Sequence, residues 1–314
     1  MKRFLRAIVR NKQNEFFSRM IEIVLDGQAL VLFDLGAEGA IQPRWSRVRE
    51  SLHYVGFEPD VRSIPALMAD DQGCRRYEIV PSAIGRDPES ILNLCRDPRV
   101  SSLLTPNWSF VNVFPNANRF SIVERIAIEV NTLDSLQLQK PDFMKLDVQG
   151  SELAVLSGAE NALECCFGLE VEIELLPIYF DQPLFGDLSR FLAEKDFVFI
   201  DFTSLNRWGR QRYDGLGTLV FGDALFLRTP ESEYVSSLDA NSLKRYLAIC
   251  LIYNRFDLIE IAIQPHVDSS DFRQAQSAIS KLRKSFVRSA AYNNFNSRLL
   301  SYFFGIEKSS HMLY

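Results

Sequence analysis

The chain has 314 residues, is 47% hydrophobic and 12% aromatic, and carries a formal net charge of -5. That allows a substantial core, in one large α/β domain with an appendage or in two domains. It excludes the basic stripe of a nucleic-acid binder, and no apolar run approaches the ~20 residues of a membrane-spanning helix.

The N-terminus, Met1 to Arg10, is basic and amphipathic and lacks the apolar core of a signal peptide. Residues 1–28 are predicted as an arm of one or two helices closed by Asp26-Gly27. The run Ala29–Phe33 predicts a buried parallel strand, and it empties through Asp34 into the glycine-bearing turn Gly36-Ala37-Glu38-Gly39-Ala40. Such turns let backbone approach a ligand at the carboxyl edge of an α/β sheet. Pro43 opens a short helix to about Leu52, and His53–Phe57 is the second strand. That strand ends in Glu58-Pro59-Asp60, with Glu58 22 positions after Gly36. An acid at this distance from a glycine turn suits the hydroxyl pair of a ribose, so the two signals together point to a nucleoside-bearing cofactor.

A helix is expected over Val61–Asp70 and a third strand over 77–80, followed by Ser82-Ala83-Ile84. Residues 87–118 are rich in Ser, Pro and Asn and predict a long excursion over the sheet edge, a lid or substrate wall, with Trp108, Phe110, Phe114 and Phe120 arguing for order. Ile126–Val130 is a short strand, Asp142–Val148 the fourth main strand, and Ser151–Ala162 a helix. Gly168–Leu175 is the fifth strand; a helix over Asp187–Lys195, a strand over Phe197–Phe202 and a strand pair within Leu216–Leu227 follow. This rhythm predicts a doubly wound, mainly parallel sheet with antiparallel additions. After Thr229-Pro230 the sequence carries no strand pattern. Residues 231–314 read as a helical appendage, with Leu243, Leu247, Cys250 and Leu251, then Phe272, Ala275, Ile279, Leu282 and Phe286, at helical spacing. Its apolar faces suit either packing on the sheet domain, here 29–230, or a homo-oligomer seam. The five cysteines show no CxxC spacing and no pairing with the three histidines; they read as reduced thiols of a cytoplasmic protein, with no metal site.

Two strands carry charge where parallel sheets are usually dry. Lys145 and Asp147 share one strand face, as do Glu170, Glu172 and Glu174. Buried alone, each charge costs several kcal/mol, so they form either a paired structural network or the polar lining of a cleft.

These blocks resemble the FkbM family of S-adenosylmethionine-dependent methyltransferases. The likeness rests on Asp34-Leu35-Gly36-Ala37, Gly56-Phe57-Glu58-Pro59-Asp60, Ala83-Ile84-Gly85, Thr132-Leu133-Asp134 and, most specifically, Lys145-Leu146-Asp147-Val148-Gln149-Gly150-Ser151-Glu152, with Glu172, Pro177-Ile178-Tyr179 and Gln182–Phe185 beyond. It implies an α/β, Rossmann-like class I methyltransferase sheet flanked by helices, here with a C-terminal helical appendage. It also implies roles by position. Asp34, Gly36, Ala37 and Glu38 would shape the cofactor loop, with Glu58 and Pro59 at the ribose and Ser82, Ala83 and Ile84 near the adenine. Asp147 would sit beside the methionine moiety and act as base or orienter, with Lys145, Glu152, Glu172 or Tyr179 around the acceptor. Glu38 and Ala40 stand where many members have Asn and Gly. The implied activity is O-methylation of a sugar or glycan hydroxyl, with no nucleic-acid partner. The rival readings are a non-catalytic scaffold subunit and a nicotinamide-dependent dehydrogenase; the missing G-x-G-x-x-G pattern disfavours the latter.

Overall fold

The computed structural model describes residues 2–37, 39–210 and 217–287. Strand β1 (Leu30–Leu35) is buried along its whole length and sits inside a seven-stranded sheet. It pairs in parallel with β2 (Leu52–Phe57) on one side and β7 (Phe143–Leu146) on the other. Beyond β2 lies β3 (Arg76–Val80), and beyond β7 lies β8 (Gly168–Glu174), both parallel. The sheet closes with a reversed strand, β10 (Thr218–Leu227), antiparallel to β8 and to the edge strand β9 (Val198–Trp208). The order is therefore β3-β2-β1-β7-β8-β10-β9, and the chain reverses direction across the sheet between β1 and β7. The carboxyl ends at that reversal form the crevice in which α/β proteins place ligands.

Apolar side chains from one face of the sheet make a large core cluster. Phe33, Phe57, Met144, Leu146, Val171, Ile173 and Phe226 pack with Leu156, Leu163, Leu188 and Leu192 from the covering helices. Those helices are α5 (Glu152–Ser157), α6 (Glu160–Cys165) and α7 (Phe185–Ala193). The single helix expected over Ser151–Ala162 is instead two, broken at Gly158, which caps α5 and packs so closely that a Cβ there would lie 2.9 Å from the Gly85 carbonyl oxygen. Two other short helices, α2 (Pro43–Ser46) and α3 (Ile64–Met68), cover less chain than the sequence suggested; a 3₁₀ turn over Arg49–Ser51 completes the first stretch.

The excursion over 87–118 is not one long loop. It contains β5 (Glu89–Cys95), which pairs antiparallel with a ten-residue β6 (Ile122–Asn131), twice the length read from the sequence. Strand β4 (Ala83–Ile84) joins β6 to complete a second, three-stranded sheet. Helix α4 (Trp108–Val111) and Phe120 anchor the remainder on a satellite core with Cys95, Val100, Val111, Ile178, Tyr179 and Val220. The expected strand pair within 216–227 is one strand, because β9 is long enough, to Trp208, to be its partner; Leu216 itself lies outside the described residues.

The chain separates into two compact units, 29–237 and a second composed of 1–28 with 238–314. The first holds both sheets and the short α8 (Glu233–Ser236). In the second, α1 (Lys2–Leu25) runs as one helix and packs with α9 (Ala240–Ile252), which in turn packs with α10 (Phe256–Ile263). Asp26 and Gly27 have left-handed φ values of 50° and 82°, which ends α1. Asp239 caps α9 by accepting from the Ser242 N–H at 2.7 Å. The Lys244 ammonium, on α9, donates to Asp26 Oδ2 at 2.7 Å and ties the N-terminal helix to the C-terminal one. Leu243, Leu247, Cys250, Leu251, Phe272, Ala275, Ile279 and Leu282 are all buried, whereas Phe286 is 37% exposed. The stretch 288–314 of the expected appendage lies outside the described residues.

Candidate active site

A cavity of about 380 Å³ opens at the carboxyl ends of β1, β2 and β7. Its floor is set by two strand ends that nearly touch. Asp147 N donates to the Leu35 carbonyl at 2.9 Å, and Gly36, at φ +85°, turns away beside it. A Cβ on Gly36 would fall 1.9 Å from the Asp147 carbonyl oxygen, so only glycine lets these two loops meet. Gly36 and Ala37 both donate to the Phe57 carbonyl, at 3.1 and 3.0 Å, which fixes the turn against β2.

Of the sequence-derived cofactor residues, Gly36, Glu58, Pro59, Ser82, Ala83, Ile84 and Asp147 line this cavity. Glu58 follows the last residue of β2, and its Oε1 accepts from the Asp60 N–H at 2.7 Å. Ser82 Oγ accepts from Asn131 Nδ2 at 3.1 Å, tying this wall to β6. Asp34 and Ala37 stand behind the lining, buried. Asp34 accepts from the Tyr54 hydroxyl at 2.9 Å and from Lys145 Nζ at 3.2 Å. Burial and the adjacent Asp34 charge push the Tyr54 phenol well up, so it remains a donor. Glu38 lies outside the described residues.

The strand register gathers the charges. Asp34, Lys145 and Glu170 are direct neighbours across three adjacent strands, and Asp223 is opposite Glu172 on the next. Lys145 Nζ also lies 3.6 Å from Asp147 Oδ2. Burial opposes the Lys145 charge, but Asp34, Asp147 and Asp223 outweigh it and raise the ammonium above its usual range. Lys145 thus supports Asp147 from behind and does not line the cavity.

The loop after β7 is built by Glu152. Its Oε1 accepts from the Val148 and Gly150 N–H groups at 2.9 and 3.3 Å, and burial pushes its carboxyl up to about 7. Glu152 is buried behind that loop; Glu172 lines the cavity. Burial, followed by the charge of Asp147, raises the Glu172 carboxyl well above the carboxylate range.

Several residues of the site were not singled out from the sequence. Gln149, at φ +55°, donates from Nε2 to Asp147 Oδ1 at 2.9 Å and to Glu172 Oε2 at 2.7 Å. Its Oε1 lies 3.1 Å from the Tyr179 hydroxyl, which is also 3.0 Å from the Val100 carbonyl. Ser102, on the excursion, donates to the Gln149 carbonyl at 2.7 Å. Farther out, the Arg119 guanidinium stacks over Phe120 and Trp208 at 4.8 and 4.7 Å, and all three line the cavity. The residue types alone carried hints: a Gln inside the Lys-x-Asp-x-x-Gly block, and an Arg-Phe pair in the excursion. Their convergence depends on the second sheet, which the sequence did not disclose.

A seven-stranded sheet with one reversed strand beside its edge, and a ligand cavity at the carboxyl ends around β1, defines a class I methyltransferase fold. The model of the methyltransferase FkbM domain matches residues 37–199, over half of the chain, and the chain belongs to that family. Among solved structures, an FkbM methyltransferase from Methylobacillus flagellatus KT is 15% identical over 63% of this chain and 43% of that one, with a TM-score of 0.37. This chain therefore spans under half the length of that protein. Magnesium protoporphyrin IX methyltransferase from Synechocystis PCC 6803, with bound SAM, is 14% identical over 70% of this chain and 82% of that one, at 0.33. The 23S rRNA methyltransferase ErmE is 12% identical over 79% and 81%, at 0.34. No curated protein matches the chain.

Proposed function

We propose that the chain is an S-adenosylmethionine-dependent O-methyltransferase acting on a sugar or glycan hydroxyl. One observation carries the reading: Glu58, Gly36 and Asp147, each at a carboxyl strand end, line the same cavity. A nucleoside fits these residues. The Glu58 carboxylate can accept from a ribose hydroxyl pair, and Phe57, Ala83 and Ile84 offer apolar surface for a base. The close-packed Gly36 backbone leaves room for a methionine tail. When bound, S-adenosylmethionine supplies an electrophilic methyl group on a sulfonium.

The chain's own residues then have to hold an acceptor in line and keep water out. Asp147 is 36% exposed at the side chain and is fixed from two sides, by Lys145 and Gln149. It is placed to accept a hydrogen bond from an incoming hydroxyl, orienting it and taking its proton as methyl transfer proceeds. Glu172 and Tyr179 bound the acceptor side through Gln149. The stacked Phe120, Arg119 and Trp208 give a flat, half-polar wall of the kind that suits a sugar ring and its hydroxyls.

Calorimetric titration of the purified chain with S-adenosylhomocysteine and, separately, with NAD tests the reading. S-adenosylhomocysteine is expected to bind, Glu58→Gln to weaken it at least tenfold, and NAD not to bind. A folded protein that binds no S-adenosylhomocysteine at millimolar concentration overturns it in favour of a scaffold role.

A further inference from the structure

Glu152, Glu172 and Glu174 each offer one carboxylate oxygen, and these oxygens lie within 4.8 Å of one another. All three residues are buried. Two other buried acids of the same sheet meet cations. Glu170, one turn of the pleat earlier on the same face as Glu172, meets Arg44 at 3.6 Å and Thr203 Oγ1 at 2.7 Å, and Asp34 meets Lys145. Among the described residues, no Lys, Arg or His forms an ion pair with Glu152, Glu172 or Glu174.

The donors that do reach the cluster are neutral. Glu152 has the Val148 and Gly150 N–H groups, and Glu172 has the Gln149 amide. Glu174 is the residue left short. It is 1% exposed, lines the cavity, and its Oε2 is buried without a hydrogen-bond partner. The Gln182 amide, a neutral donor beside it, is the group that approaches Glu174, yet its Nε2 is also buried without a partner at hydrogen-bond distance. A single neutral amide would in any case not balance three carboxylates. An unsatisfied oxygen aimed into a cluster of like charges is the arrangement that a cation completes.

We infer that Glu152, Glu172 and Glu174 form a binding site for one hard divalent cation of the Mg²⁺ or Mn²⁺ class. An all-oxygen donor set selects such ions over zinc or copper. Around an octahedral ion with bonds of about 2.1 Å, adjacent ligand oxygens sit about 3 Å apart and opposite ones about 4.2 Å, so oxygens within 4.8 Å of one another reach the ion with at most about 2 Å of closure. Glu172 and Glu174 line the cavity, so the remaining positions face it and are open to water or to an oxygen of a bound molecule. Open positions suit an ion that dehydrates reluctantly and keeps several of its waters. Cysteine and histidine spacing could not disclose a site made of carboxylates alone. The inference rests on side-chain geometry and not on the methyl-transfer reading.

The test uses the full chain, stripped with chelator and then titrated with Mn²⁺, reading free Mn²⁺ by electron paramagnetic resonance. The expected result is one saturable site per chain, competed by Mg²⁺. Glu172→Gln and Glu174→Gln should each weaken it at least tenfold, while Asp70→Asn, at an exposed acid, leaves it unchanged. Circular dichroism establishes that each variant is folded. Absence of saturable binding in the wild-type chain overturns the inference, as does wild-type affinity in either folded glutamine variant. Because no cofactor takes part, failure here is separable from failure to bind S-adenosylhomocysteine.

Discussion

At Asp147, two neighbours do different work. Lys145 brings a positive charge to one oxygen, and Gln149 donates to the other, so the carboxylate is held from two sides. Asp147→Asn keeps the shape and the Gln149 contact but removes the charge that accepts a proton. Under the proposed function, this variant should bind S-adenosylhomocysteine within a few-fold of wild type while turnover falls about 10² to 10⁴-fold. Binding by calorimetry and turnover by product formation, measured on the same preparation, check it. Asp223 gives a separate, stability-based prediction. Burial pushes its carboxyl up to about 6 from 3.8, although Ser204 donates to it. The folded state therefore keeps a proton that the unfolded chain has already released. Stability falls as pH rises from about 4, and the loss is complete above about 6, at a cost of roughly 3 kcal/mol. Asp223→Asn should flatten this part of the profile; urea denaturation at pH 4.5 and 7 compares the two slopes.

Elements show where the sequence was informative and where it was silent. Strands β1, β2, β7 and β8 were legible because central parallel strands are apolar on both faces, and their runs stand out from the flanking turns. The charges that broke the pattern, Lys145, Asp147, Glu170, Glu172 and Glu174, were legible for the same reason. Strand β6 was not. Of its ten residues, Ile122 to Asn131, only Val130 is buried and three are charged, and its partner β5 sits within a stretch whose composition reads as loop. The gathering of Arg119, Phe120 and Trp208 follows from that pairing and from the length of β9, so no local signal could reveal it. The turn after β1 was legible in type, and the structure supplies its reason. Gly36→Ala would bring a Cβ to 1.9 Å from the Asp147 carbonyl at a φ of +85°, where neither loop can yield without breaking the Asp147 N–H bond to Leu35. A loss of at least about 3 kcal/mol is expected. Gly39→Ala, at φ +77° with open space around it, should cost only about 1 kcal/mol. Denaturant midpoints of the two variants check the contrast.

For the whole molecule, the division of labour between the two units is the deciding feature. Every residue that lines the cavity lies within 29–237, and so do Lys145, Asp34 and Glu152 behind it. Within those residues, α5, α6 and α7 cover one face of the sheet. The second unit depends on both ends of the chain, because α1 packs with α9 and Asp26 meets Lys244 across 218 residues of sequence. Under the proposed function, a folded fragment of 29–237 should therefore bind S-adenosylhomocysteine with an affinity close to that of the full chain. A fragment lacking only 1–28 should leave α9 with its buried Lys244 unpaired and its apolar face uncovered, and so be less soluble than either. Calorimetry on the first fragment and sedimentation of both separate these outcomes. Loss of cofactor binding in a folded 29–237 fragment would mean that the second unit contributes to the site, contrary to its lining residues.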